Sequence, residues 1–552
     1  MSRRGLEGLA AALLLLLALV PRAQGLLGGF DREFEGYQGA FFAIAAVNYE
    51  RLGLGAAGGY PVLNVDLPGG SPAAARERGA EWFVYQNHPP TTALLAWAAL
   101  ATMGPEGWGD AWRSGAAPEG VEAPLRFPFL LLHLASLALL WRVARLAFGP
   151  QVALLTLALG AYLPVSAMYG AMVNLENPSL PCVLLAVLAY GAFVREGERR
   201  ALAGLGLAFL AGCAVTFAPA FFLPPLVLRS ASRRRWREAG LVLAAGGLGC
   251  ALPVVAHALA SKAALAQLGQ RAVTIPERAR ELFQPLFDGS LPLGDWLAAQ
   301  VGHAQHALGL PLAILAVIGL ALSLARGLSS RWNEGLAAGE WPRCAEADVD
   351  LATPLATGAG LFLFAFYRHT GEEQWSFWLY VAPAAALLAA RALHALSLPL
   401  QRLRGGTAPL VLVTGTVMLL SLARYEGWRG AARAPGPRDD AQLATGPDAP
   451  LPSTVGRELA ELLPPGSVGL HPTALGLNLA ASWYAWRTLL PVSSPEDPLP
   501  AAVLGRYGLG DAPRYLVLPE EPPAAAGTII EAWRAELGAA GLSSDAWTAW
   551  RR

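Results

Sequence analysis

The chain has 552 residues, 54% hydrophobic and 15% charged, and its 41 basic and 41 acidic residues cancel. Soluble domains carry about 25% charged residues, so these charges are too few to cover a water-facing surface. A mean hydropathy of +0.40 and repeated apolar stretches of about 20 residues make this a polytopic membrane protein. The charges balance, and no basic tract suggests nucleic acid as a partner. The four cysteines show no metal-ligand spacing and three lie in apolar runs, which argues against a disulfide framework.

The first element is the run "LAAALLLLLALV", preceded by Arg3 and Arg4. Its small-residue cleavage pattern is poor, so it reads as an uncleaved first helix rather than a signal peptide. Arginine is retained on the cytoplasmic face, which puts the N-terminus inside and the segment 28–124 outside. That segment opens on "FDREFEGYQGAFF", where Asp31, Glu33 and Glu35 crowd together. Further along, "TTALLAWAALATMG" is apolar for only about 14 residues, or ~20 Å of helix, too short for a ~30 Å core. It is expected at the membrane interface.

Further spans are expected near 126–147, 151–170, 178–194, 239–260, 308–327, 352–368, 376–398 and 407–423. Residues 201–228 are flanked by "REGERR" and "RSASRRRWRE", both of which belong inside. Two short half-helices broken near Pro219 satisfy both flanks where one helix cannot. The count is eleven, and its parity leaves the C-terminal region outside. Residues 1–425 thus form a transmembrane domain, 426–452 a Pro/Gly/Ala/Asp-rich linker, and 453–552 alternate helix-like and strand-like segments. The expected fold class is mainly α, a polytopic membrane protein with a small extracytoplasmic α/β domain.

With sides assigned, the outer polar residues gather at helix ends. They are Asp31, Glu33 and Glu35; Asn87 and His88 in "YQNHPP"; Arg126; Asn174 and Glu176 in "VNLEN"; His303 and His306 in "HAQH"; and Arg368 and His369 in "YRHTGEEQW". Arg126 stands at an outer end, against the prevailing bias; its fork suits a lipid phosphate, and a lipid headgroup would satisfy it equally. His88 is fixed ahead of two prolines, and can be structural or bind phosphate. The i,i+3 spacing of His303 and His306 places both on one helical face, open to structure or to a metal.

The order of these pieces carries a resemblance. An acid cluster after the first helix runs into "GYQGAFFAIAAVNYERLG"; "YQNHPP" and a short apolar segment follow, and an arginine opens the second span. This resembles the lipid-linked-sugar glycosyltransferases of the GT-C fold, in particular the family 39 group of protein O-mannosyltransferases and lipid A aminoarabinose transferases. "MVNLENPSLPCVLLAVLAY" and "FWLYVAPAAALLAARAL" are similar to that group's third-to-fourth and late helices. "SWYAWRTLLPV" is similar to a tyrosine–arginine element in the tail of bacterial members, with Trp486 where an acid is common. The family's first loop often holds Asp-Glu or Asp-x-Asp, where this chain has Asp31 and Glu33-Phe34-Glu35.

The resemblance implies a sugar donor on polyprenyl phosphate and a protein, lipid or glycan acceptor. It also implies a place in the bacterial inner membrane, with the site on the extracytoplasmic side. Transfer would be inverting, with a carboxylate taking the acceptor proton; Glu33 and Glu35 match the acid-Gly-aromatic run better than Asp31. Positive charge on the leaving phosphate would come from Arg126, Arg368 or His88, with Asn87, Asn174, Glu176 and His369 as further polar contacts. A divalent cation held by Glu33 and Glu35 is the alternative source of that charge. A lipid or glycan transporter or flippase, and a non-catalytic envelope assembly protein, are the competing readings.

Overall fold

The computed structural model describes residues 2–30, 33–55, 58–64, 84–110, 117–267, 275–332, 341–372, 375–404, 415–416, 452–464, 467–472, 479–492, 514–520, 527–537, 542–543 and 547–551. The expected span at 407–423, apart from 415–416, and the linker at 426–452, apart from Pro452, lie outside them. The chain divides into two compact units. One comprises Met1–Gly25, Phe129–His257 and Val273–Gly427; the other comprises Leu26–Pro128, Ala258–Ala272 and Trp428–Arg552.

The first unit is helical. It holds α1 (Arg3–Leu17), and α2 (Val20–Leu27) begins in it. α3 (Glu33–Leu52) and α4 (Thr91–Met103) belong to the second unit, while α5 (Glu122–Phe148) contributes to both. The first unit continues with α6 (Pro150–Tyr162), α7 (Pro164–Tyr169), α8 (Glu176–Glu196), α9 (Arg199–Cys213) and α10 (Leu223–Ser232). α11 (Trp236–Gln267) again contributes to both; α12 (Ile275–Phe287), α13 (Leu293–Leu308), α14 (Leu310–Trp332), α15 (Trp341–Ala365), α16 (Tyr367–Glu372) and α17 (Ala382–Arg404) complete the unit.

Among the described residues four helices are long and apolar enough to cross a membrane: Gly5–Ala23, Glu122–Phe148, Glu176–Glu196 and Trp236–Ala266. The pair Leu293–Leu308 and Leu310–Ala325 passes as a fifth, bent by 111°. The bend falls at Gly309, whose φ of 77° is one that side-chain-bearing residues rarely adopt. α4, α6, Leu351–Ala365 and Ala382–Ser397 are shorter apolar helices. Leu241, Leu243, Leu248, Leu252, Val255 and Leu259 are all exposed along α11. In water such a stripe would drive aggregation, whereas in a bilayer it is the lipid face.

Proline and arginine explain the breaks. α9 stops at Cys213, Pro219 sits in a 3-10 turn over Ala218–Phe222, and α10 runs on to Ser232. This is the broken arrangement that the arginine-rich flanks on both sides require. α6 and α7 each begin with proline at the first turn, where its missing N–H costs nothing.

In the second unit the C-terminal residues form α18 (Pro452–Leu462), β1 (Val468–Pro472), α19 (Leu479–Ala485), β2 (Thr488–Val492), β3 (Arg514–Pro519), α20 (Gly527–Leu537), β4 (Leu542–Ser543) and β5 (Trp547–Arg551). The strands make one sheet in the order β2-β1-β3-β5-β4. β1 is parallel to β2 and β3, and β5 is antiparallel to β3 and β4. Val455, Leu459, Leu470, Leu516, Leu518 and Ile530 bury its core. The loop after α3 is tied back by Asn48, whose Nδ2 donates to the carbonyls of Val62 (2.7 Å) and Asn64 (2.9 Å).

Candidate active site

Asp31 lies outside the described residues. Glu33 opens α3 and Glu35 follows on its first turn, and their side chains lie outside the described residues. Among the described residues no three His, Cys, Asp or Glu side chains group to hold a metal ion.

The approach to the acids is well defined. Arg126, near the start of α5 and fully buried, donates through Nη1 to the Gly28 carbonyl and through Nη2 to that of Gly29 at 2.9 Å. Its guanidinium carbon lies 5.1 Å from the centroid of the Phe30 ring, a cation–π contact. The Phe30 ring is buried against α3: a Cβ on Gly39 would come within 2.3 Å of it. On another side the Trp483 ring of α19 meets Phe30 edge-on, with centroids 6.3 Å apart.

The same unit brings "YQNHPP" to α3. Phe41 packs edge-to-face on Tyr85 at 4.8 Å, Tyr85 stands 6.1 Å from the His88 ring, and the Tyr85 N–H donates to the Pro61 carbonyl. His88 is half-buried and Asn87 exposed. Two phenols also sit here. Burial pushes Tyr60 up to about 12, and burial together with Tyr60 pushes Tyr49 higher still. Both therefore stay protonated at neutral pH, and Tyr49 donates to the Gly59 carbonyl at 2.6 Å. Neither is a base.

The other predicted residues lie in the first unit. Asn174 is buried, its Oδ1 accepting from the Asn177 N–H at 2.9 Å. Glu176 is buried at the N-terminus of α8, where the helix dipole favours a carboxylate, and accepts from the Ser376 hydroxyl at 3.5 Å. Arg368 and His369 are exposed on α16. The neighbouring Thr370 is fixed by Trp296 Nε1 (3.1 Å to its hydroxyl) and Gln300 Nε2 (2.7 Å to its carbonyl). His303 is buried in α13, while the half-buried His306 presents its Nδ1 2.7 Å from the Gly302 carbonyl.

One buried polar cluster was not singled out from the sequence. Arg22 donates to the carbonyls of Ala18 (2.5 Å) and Ala161 (2.9 Å) and to the Ser166 hydroxyl (2.8 Å), and lies 3.2 Å from His133 Nε2. Asn177 Nδ2 donates to the carbonyls of Tyr169 and Met172, which leaves its Oδ1 as acceptor for His133 Nδ1 at 3.2 Å. His133 Nε2 is then the acceptor toward Ser166 at 2.9 Å and Arg22. A lone histidine in "FLLLHLASL" and an arginine after a prolonged apolar run each look unremarkable alone. Only their pairing through Asn177 and Ser166 gives the cluster away.

Residues 119–259 match the family described as dolichyl-phosphate-mannose-protein mannosyltransferase. No curated protein matches the chain in sequence. Among solved structures, archaeal oligosaccharyltransferase AglB from Archaeoglobus fulgidus, in complex with an inhibitory peptide and a dolichol-phosphate, is similar with a TM-score of 0.59 and 11% identity, over 96% of this chain and 71% of that one. ArnT from Cupriavidus metallidurans bound to undecaprenyl phosphate is similar with a TM-score of 0.56 and 14% identity, over 99% and 98% of the two chains. Its apo state gives 0.54 and 15%. This chain is therefore an integral membrane protein with the GT-C glycosyltransferase fold, similar to family 39.

Proposed function

We propose that this protein is a membrane glycosyltransferase that moves a sugar from a polyprenyl-phosphate donor to an extracytoplasmic protein, lipid or glycan. The observation that carries this is the similarity over nearly the full length of both chains to ArnT solved with undecaprenyl phosphate. The eleven-span topology in the bacterial inner membrane, with residues 453–552 outside, belongs to the same proposal.

In the reaction the acceptor oxygen attacks the anomeric carbon, the bond from that carbon to the phosphate oxygen breaks, and configuration inverts. A first-loop carboxylate, Glu33 or Glu35 ahead of Asp31, takes the acceptor proton as the new bond forms, a role worth typically 10²–10⁴-fold. The polyprenyl phosphate leaves as an anion, which a basic group stabilises. His88 with Asn87 is proposed as an accessible polar contact near α3, and Arg368 with His369 as exposed basic groups for phosphate. Asn174, Glu176 and Arg126 are buried, and any contact they make with donor requires the surrounding chain to open.

The test is donor consumption by the full chain in lipid nanodiscs, using a panel of undecaprenyl- and dolichyl-phosphate sugars with peptide, lipid A and glycan acceptors. Release of polyprenyl phosphate with formation of an inverted glycoside supports the proposal. No consumption with any pairing would move the weight to transport, read by flipping of a fluorescent polyprenyl-phosphate sugar. EDTA decides whether a divalent cation takes part.

A further inference from the structure

We propose that Phe30, keyed into α3 at Gly39 and clamped between Arg126 and Trp483, is a positioning residue for the acid-bearing segment, so that the C-terminal α/β region takes part in transfer. This rests on the glycosyl-transfer activity proposed above. The approach to Asp31 is Gly28-Gly29-Phe30, and a glycine pair left alone is the most mobile backbone a loop can contain. Here each element of that approach is held. Arg126 takes both glycine carbonyls in its fork, and its charge lies over the Phe30 ring. The ring fills a notch that exists only because residue 39 has no side chain.

The third wall is supplied from about 450 residues further along the chain. Trp483, fully buried, meets Phe30 edge-on and in turn packs on Trp486 with centroids 5.4 Å apart. Trp486 has a φ of 48°, a left-handed conformation that is uncommon for an aromatic residue and is held only where its surroundings enforce it. The enforcement is visible: Arg487 donates to the Trp486 carbonyl at 3.0 Å and, through Nε and Nη2, to the Leu463 carbonyl after α18. A strained turn anchored to the C-terminal core thus carries a tryptophan to the residue before the acids. A docking module tethered by a linker would need none of this. A site whose carboxylate must stay within a fraction of an ångström of its productive place would.

The experiment uses the full chain in nanodiscs and compares wild type with Gly39→Ala, Trp483→Leu and Trp483→Phe. Amide hydrogen exchange and steady-state kinetics are both read. Gly39→Ala and Trp483→Leu should speed exchange over residues 28–40 about ten-fold while β3 keeps its protection. Both should lower kcat about ten-fold with donor KM within about two-fold, the signature of lost transition-state alignment. Trp483→Phe, which keeps an aromatic edge, should recover kcat to within about three-fold of wild type. Unchanged exchange and kcat in Gly39→Ala, a change confined to KM, or a Trp483→Phe as impaired as Trp483→Leu would each overturn the proposal. Should Trp483→Leu lose protection throughout the sheet, Gly39→Ala, which lies on α3, decides. If wild type transfers no sugar, the activity reading fails by itself, and faster or unchanged exchange over 28–40 still supports or overturns the clamp.

Discussion

Arg22 and Arg126 are both buried guanidiniums, and their surroundings differ in kind. Arg22 spreads its donors over the ends and side chains of helices: Ala18 after α1, Ala161 in α6, Ser166 in α7 and His133 in α5. Every partner sits on or beside a regular element, so the cluster fixes how helices meet inside one unit. Arg126 instead holds two loop carbonyls and an aromatic ring on the segment that leads to Asp31, Glu33 and Glu35. A buried charge in the first setting serves the fold; in the second it serves a loop that glycine would otherwise leave free.

Each junction also contains a glycine whose hydrogen faces the critical group. A Cβ at Gly170 would lie 2.5 Å from Arg22 Nε and 2.8 Å from His133 Cδ2, as one at Gly39 would lie 2.3 Å from Phe30. Stability changes are therefore expected at one junction and activity changes at the other. The largest effect should come from Arg22→Leu, which strips the buried Ser166, His133 and two carbonyls of a shared donor. It should destabilise by roughly 3 kcal/mol or more, read as a lowered Tm in nanodiscs. Gly170→Ala, an overpacking change at the same place, should cost about 1–3 kcal/mol and leave the donor KM of the folded fraction unchanged.

Arg126→Lys sharpens the contrast. Lysine keeps the charge but loses the fork, so kcat should fall about ten-fold, equivalent to ~1.4 kcal/mol in barrier, while Tm hardly moves. A Tm drop as large as that of Arg22→Leu would erase the distinction. The smallest effect serves as a control outside both junctions. The Ser290 N–H, donating at 2.9 Å, holds the Asp288 carboxyl below its usual range. A depressed carboxylate contributes stability above its unfolded value of about 3.9 and loses it as pH falls through the folded value. Asp288→Asn should thus remove only a slight acid limb from the pH–Tm curve and nothing near neutrality.

Arginine placement and apolar length made much of the architecture legible. The break around Pro219 follows from two arginine-rich flanks that a single helix cannot reconcile, and α4 is as short as its apolar run. The bend at Gly309 was not legible, because "HAQH" and the apolar run after it are each ordinary, and only the positive φ between them joins the two into a bent pair. At the candidate site the sequence proposed one outer-face set, of which one unit holds α3, "YQNHPP" and Arg126 and the other holds Asn174, Glu176, His303, His306, Arg368 and His369. It did not predict that Arg126 would grip the chain itself, since a guanidinium's preference for phosphate and for carbonyls looks the same in one dimension. Phe30 and Trp483 were equally hidden: an aromatic after Gly-Gly acquires meaning only when a tryptophan far along the chain arrives beside it.

The role of the first-loop acids is tested by sugar transfer in Glu33→Gln and Glu35→Gln beside Arg22→Leu, with Tm measured on the same nanodisc samples. At least one of the two acid variants should lose about 10²-fold or more in turnover at unchanged Tm, whereas Arg22→Leu should lose Tm first. Wild-type turnover in both acid variants would contradict this, and would leave Asp31 as the remaining first-loop candidate.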